Sequence, residues 1–77
     1  MAIVDLAHMG AGYHGKIVEV HGGYGMRARL EAMGIRPGVE ITKISSQIMR
    51  GPVLIKVGNA QIALGHGMAT RVLVNIT

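Results

Sequence analysis

The sequence predicts a mainly β protein, a small and strongly bent barrel of about five strands with one α-helix inserted after the first strand. Three observations predict it. Short β-branched segments with period-2 alternation recur along the chain, as in VLIKV and VLVNI. Twelve glycines punctuate 77 residues, which implies many tight turns between short elements. One stretch, YGMRARLEAM, has a helical period. Closing the sheet would remove exposed edges, a need for strands this apolar.

Each element has a local reason. Leu6 and Met9 are spaced for a single helical turn, with Asp5 placed as its N-cap. The first strand is expected from Lys16 to His21, over the alternating residues of KIVEVH, and Gly22-Gly23 ends it. A helix follows over 24–33. Met26, Leu30 and Met33 form one apolar stripe, and Gly34 is placed as the left-handed residue after the helix. Ile35 can then fold back onto Leu30, the hydrophobic contact of a Schellman motif. Arg36-Pro37-Gly38-Val39 reads as a type II turn, because proline sets φ at its second position and glycine supplies positive φ at its third. It opens the strand VEITKI, in which Val39 and Ile41 share a face while Ile44 falls on the other, so a β-bulge is expected between them. Ser45 to Pro52 reads as a polar, basic connection. Val53–Val57 has Val53, Ile55 and Val57 inward, and the Gly58-Asn59 hairpin signal pairs it with AQIAL, where Ile62 and Leu64 are in register. GHGMAT has room for one helical turn. The last strand places Val72, Val74 and Ile76 inward.

Residues 1–77 are expected to form a single domain with a small core. There are no cysteines, so disulfides and thiolate metal sites are excluded. Hydrophobic residues make up 49%, which argues against disorder, and the only aromatics are Tyr13 and Tyr24, so the core must be aliphatic. A formal charge of +4 suits an acidic partner, nucleic acid or an anionic surface. No apolar run is long enough to span a bilayer, and the first residues lack a basic n-region, so the expected setting is cytoplasmic.

GAGYHGK, Gly10 to Lys16, satisfies two phosphate-binding patterns, G-x-G-x-x-G and G-x-x-x-x-G-K. Neither has its context. Ile17, which follows Lys16, has no oxygen for magnesium, no clear buried strand precedes Gly10, and a strand instead of a helix is expected after Lys16. The expectation is that no nucleotide binds and that these glycines are turns entering the first strand.

The pattern Leu6-x-x-Met9-x-x-Gly12-x-x-Gly15-x-Ile17, then Arg29-Leu30-x-x-Met33-Gly34-Ile35-x-Pro37-Gly38, Gly51-Pro52, the Gly-Asn hairpin, Ala63-Leu64, Ala69 and a closing V-x-V resembles the ferrous-iron transport protein A (FeoA) family over nearly the whole chain. RLEAMGIRPG is the most specific part. The resemblance implies an SH3-like barrel in which Leu30, Met33, Gly34, Ile35, Pro37 and Gly38 are structural. It implies a cytoplasmic accessory subunit that contacts the cytoplasmic domain of the ferrous-iron permease FeoB and reaches the membrane only through that permease; a homo-oligomer is compatible with the sequence, which does not fix the oligomeric state. It also makes Gly10 an extra glycine that completes the phosphate patterns by accident. A similar barrel occurs at the C-terminus of iron-dependent repressors, but this chain has no helix-turn-helix segment.

No nucleophile has a base and an acid beside it in the pattern, and paired carboxylates are absent, so no enzyme activity is expected. His8, His14, His21 and His66 lack the i, i+4 spacing that places two ligands on one helix face, so no metal site and no cofactor are expected, although surface zinc binding in solution would be compatible. Met26 and Met33 sit on the helix stripe as core residues, whereas Met49 and Met68 are the candidates for exposure, and an exposed methionine in a basic loop suits an adaptable contact. The partner-binding residues expected are Tyr24, Met26, Arg27, Arg29, Met49 and Arg50. The alternative function is a small basic barrel that binds RNA or other nucleic acid, against which stands the shortage of aromatics for base stacking.

Overall fold

The computed structural model describes residues 2–46 and 51–77. Six strands and two helices follow in the order β1 (Ala2–Asp5), β2 (His14–Val20), α1 (Tyr24–Ala32), β3 (Glu40–Ser46), β4 (Val53–Val57), β5 (Ala60–Leu64), α2 (His66–Ala69) and β6 (Val72–Ile76). All strand pairs are antiparallel, and the sheet order is β1-β6-β2-β3-β4-β5. The inward positions of the strands meet Leu30 of α1 and Ile35 beyond it in one aliphatic core, with Ile17, Ile55, Val72 and Val74 essentially inaccessible. Burying one such side chain contributes roughly 1.5–3 kcal/mol.

Several local expectations hold in detail. The Asp5 carbonyl accepts from Met9 N–H at 3.0 Å, and its Oδ1 accepts from His8 N–H at 3.0 Å, so Asp5 caps the turn that buries Leu6 and Met9. At the end of α1, Ile35 N–H donates to the Leu30 carbonyl at 3.0 Å and Gly34 N–H to the Glu31 carbonyl at 2.9 Å, with Gly34 at φ +87°. This is the Schellman pair of bonds, and Leu30 and Ile35 meet in the core. The type II turn closes with Val39 N–H on the Arg36 carbonyl at 3.2 Å, and Gly58-Asn59 joins β4 to β5 with Val57 opposite Ala60.

A Cβ at Gly34 would meet only Val57 Cγ1, at 3.8 Å, so backbone strain and not space decides what this position tolerates. Gly34→Val is expected to destabilise the protein by more than ~1 kcal/mol, because β-branched residues resist positive φ. An unchanged melting temperature would show that the helix stop has another cause.

The structure refines the expected layout in several places. Among the described residues there are six strands, where about five were expected. Ala2–Asp5 forms β1 along β6, with Ala2 opposite Ile76 and Asp5 opposite Leu73. Four residues carry too little alternation to announce a strand, and this one is ordered by its partner. The helix therefore follows the second strand, and it ends at Ala32 with Met33 as its cap. Strand β2 starts two residues earlier than Lys16 and stops at Val20, and β3 takes in Ser45 and Ser46, which were expected in the connection. Two bulges bend the sheet: one falls between Ile17 and Glu19 of β2, and the other between Lys43 and Ser45 of β3. The second does not return Ile44 to the core. Lys43 alternates with Ile41 instead and is buried at 1% exposure. Finally, among the described residues hydrogen bonding does not run round a closed barrel, so β1 and β5 are the edges of the sheet.

Lys43 is buried because the chain supplies it with acceptors. Its Nζ donates to the Leu6 carbonyl at 2.7 Å and to the Ala7 carbonyl at 3.1 Å, which are carbonyls of the Asp5-capped turn. Its backbone accepts from Gly12 N–H at 2.7 Å and donates to the Tyr13 carbonyl at 2.9 Å. One residue thus ties the β1–β2 connection to β3. Burial pushes the Lys43 pKa below the ordinary 10.5, and the Asp5 carboxylate pulls it part of the way back.

Candidate functional site

The phosphate-binding patterns are dissolved by the fold. The segment after Lys16 is strand β2, not a helix, so no fan of N–H groups is aimed at an anion. Gly15 is buried against β6, and a Cβ there would run into the Asn75 carbonyl and come within 2.8 Å of Val74 Cγ1. Gly12 is the turn residue, with φ +86°. At Gly10 a Cβ would make ordinary contact with the Tyr13 ring at 3.4 Å, so nothing in the backbone requires a glycine there.

The histidines do not converge. His8 Nδ1 lies 2.9 Å from Asp5 Oδ2, and His21 Nε2 lies 3.2 Å from Glu19 Oε2. His14 and His21 flank the two ends of β2, and His66 opens α2. Among the described residues no three His, Asp or Glu side chains come together to hold a metal ion. A polar cleft of about 570 Å³ takes in His14, Glu40, Thr42, Lys56 and Thr77 on the outer side of β2, β3 and β4.

The second cleft carries two of the residues expected to meet a partner, Tyr24 and Arg27. It has a volume of about 490 Å³ and lies between α1 and β2, lined by Val18, Tyr24, Arg27, Glu31, Arg36 and Pro37 among others. Tyr24, the first residue of α1, is 81% exposed, and Val18, on the face opposite inward Ile17 and at the β2 bulge, is 41% exposed. Arg27 comes from the helix and Arg36 from the type II turn. Among the described residues neither guanidinium pairs with a carboxylate, although Arg27 and Glu31 are one helical turn apart. The Schellman stop and the turn after it bring Arg36 and Pro37 to the cleft, so both arginines line it together with Val18, Tyr24 and Pro37.

The structure therefore brings together Tyr24 and Arg27. Arg29 is exposed on the same helix but does not line the cleft, and Met26 is half-buried against the core. Met33 is likewise half-buried, and Leu30 and Ile35 are core residues. Met49 and Arg50 lie outside the described residues. Val18 and Pro37 escaped the reading of the sequence as surface residues. Val18 lies beside inward Ile17 and so faces away from the core.

A bent antiparallel sheet of this size, with one nine-residue helix and one short one, defines a small SH3-like module. Residues 4–76 match the FeoA domain. A crystal structure of iron uptake regulatory protein FeoA is 39% identical, with a TM-score of 0.92 over 99% of this chain and 100% of that one. Stenotrophomonas maltophilia FeoA, solved with zinc, is 25% identical, with a TM-score of 0.78 over 94% of this chain and 89% of that one. A protein of Methanocaldococcus jannaschii, provisionally named Fe(2+) transport protein A, is 34% identical over 58 residues, which is 75% of this chain and 68% of that protein. The chain belongs to the FeoA family, which is associated with ferrous-iron transport. Among the described residues, no helix is long and apolar enough to cross a membrane.

Proposed function

We propose that this protein is a cytoplasmic accessory subunit of a ferrous-iron transport system that acts by contact with the cytoplasmic domain of the permease and performs no catalysis. The observation that carries this reading is the α1–β2 cleft, where Arg27 and Arg36, neither paired with a carboxylate among the described residues, line the surface with exposed Tyr24, Val18 and Pro37. Tyrosine and arginine are the side chains that dominate binding energy at protein interfaces, and the apolar residues beside them supply the area that excludes water. The fitting partner segment is apolar with acidic flanks. Docking of this kind shifts the permease only as far as the module binds one of its conformations better than another.

The test is a pull-down, followed by titration, against the cytoplasmic permease domain from the same organism with total RNA as competitor. Binding is expected to survive RNA. Arg27→Glu is expected to weaken it about tenfold or more, that is by ~1.4 kcal/mol. RNA capture without permease binding would overturn the reading in favour of nucleic acid. Against that outcome, Tyr13 and Tyr24 are the only aromatics in the sequence, few for base stacking.

A further inference from the structure

The sheet ends in two edges, β1 and β5, and they are protected differently. β1 has four residues and carries Asp5 at its end. β5 is AQIAL, with no charge and no proline, and its register with β4 is unbroken over all of its residues, so no bulge twists it away. Charge, proline, shortness and bulges are the devices that keep natural edge strands from pairing with another chain, and β5 is only as short as β4 itself. Among the described residues no backbone hydrogen bond leaves its outer side.

The register identifies the free groups. Val57 and Ala60 close the Gly58-Asn59 turn. In a two-residue hairpin that closing pair is hydrogen-bonded, and the pairs alternate from there. Ala60, Ile62 and Leu64 therefore turn their backbone groups toward β4, while Gln61 and Ala63 turn theirs outward. We propose that β5 is a homodimerisation edge, at which a second copy of this chain pairs antiparallel about a two-fold axis through Ile62. Gln61 then faces Ala63 of the second copy, and each such pair exchanges both of its N–H···O bonds. The same groups are used on both sides, as an isologous interface requires.

Side chains and charge agree with a second copy as occupant. Gln61 and Ala63 are exposed and uncharged, and half-buried Ile62 meets its own counterpart in the close, non-hydrogen-bonded pair. Two chains of charge +4 repel, and an uncharged strand is where they can approach. Lys56, opposite Gln61 on β4, stays three strand spacings, about 14 Å, from its counterpart, beyond the Debye length of ~8 Å. So short a seam makes a weak, concentration-dependent dimer. It is separate from the α1–β2 cleft, so it stands or falls independently of the permease reading.

Sedimentation velocity over about a hundredfold range of protein concentration tests it. The 8.1 kDa species is expected to give way to one of twice that mass, and amide exchange at Gln61 and Ala63 is expected to slow with it. Ala63→Lys, an exposed substitution that sets two like charges diagonally across the seam, is expected to raise the dissociation constant about tenfold or more, with an unchanged circular dichroism spectrum. Ile3→Lys, on the other edge, is expected to leave it unchanged. The proposal is overturned by a single 8.1 kDa species at every concentration, by a dimer that Ile3→Lys and not Ala63→Lys dissolves, or by protection of Gln61 and Ala63 that appears only when the permease domain is added.

Discussion

Gly15→Ala is expected to lower stability by about 3 kcal/mol or more, out of the ~4–12 kcal/mol that a domain of this length has in total. The added methyl would collide with the Asn75 carbonyl and crowd Asn75 C and Val74 Cγ1. Two of these three neighbours are backbone atoms of β6, which cannot rotate aside as a side chain would. Gly15 is paired on both sides, opposite Ile76 of β6 and Ile41 of β3, so relieving the collision means spreading strands in the middle of the sheet. Thermal unfolding checks this: at about 4–8 °C per kcal/mol, the melting temperature should fall by ~12 °C or more. Gly10→Ala is the control. Its methyl makes only ordinary contact with Tyr13, and its expected effect is within about 0.5 kcal/mol. Equal melting temperatures for the two variants would show that β2 and β6 open there at little cost.

Lys43→Ala is expected to cost about 3 kcal/mol, because it removes a buried stem and leaves the Leu6 and Ala7 carbonyls without their donor. Lys43→Met keeps most of the volume and loses only the hydrogen bonds and the charge. Losing the bonds costs about 1–3 kcal/mol, offset in part because a buried charge no longer has to be desolvated. The alanine variant should therefore be clearly less stable than the methionine one, and equal losses would mean that the stem packs against little. The pH dependence has a definite sign. Burial lowers the Lys43 pKa in the folded state from 10.5, so between that lowered value and 10.5 the unfolded chain binds more protons than the folded one. Stability then rises with pH. The advantage of wild type over Lys43→Met should widen as pH climbs through this window, and a constant difference would show that Lys43 titrates alike in both states.

Reading the sequence succeeded wherever one turn of chain contains its own reasons. The apolar stripe of α1, the Gly34 stop, the Pro37-Gly38 turn, the Gly58-Asn59 hairpin and the Asp5 cap each depend on residues within a few positions of one another, and the conformations they impose are those that the backbone of these residue types allows. The inward faces of β4, β5 and β6 were legible for a related reason, since alternation alone assigns the two faces of an unbulged strand.

The remaining features depend on pairs of segments far apart in the chain. Nothing in VEITKI marks Lys43 for burial until the Leu6 and Ala7 carbonyls, some 37 residues earlier, are placed beside it. Val20 returns to the core side two residues after outward Val18 only because the register with β6 inserts a bulge after Ile17. β1 has no strand signal of its own and exists because β6 offers it a partner. Even Gly15, which the sequence offered as part of a phosphate loop, is a glycine because β6 passes too close for a methyl. The sequence by itself determined the FeoA-like pattern, the helix with its stop, the turns and the aliphatic core faces. Only the tertiary structure decided the buried cation, the bulges, the free β5 edge and the arginine-lined cleft. The physical reason is range: dihedral preferences and capping act over a few residues, whereas strand register, close backbone approach and the burial of a charge are set by whichever distant segment arrives alongside.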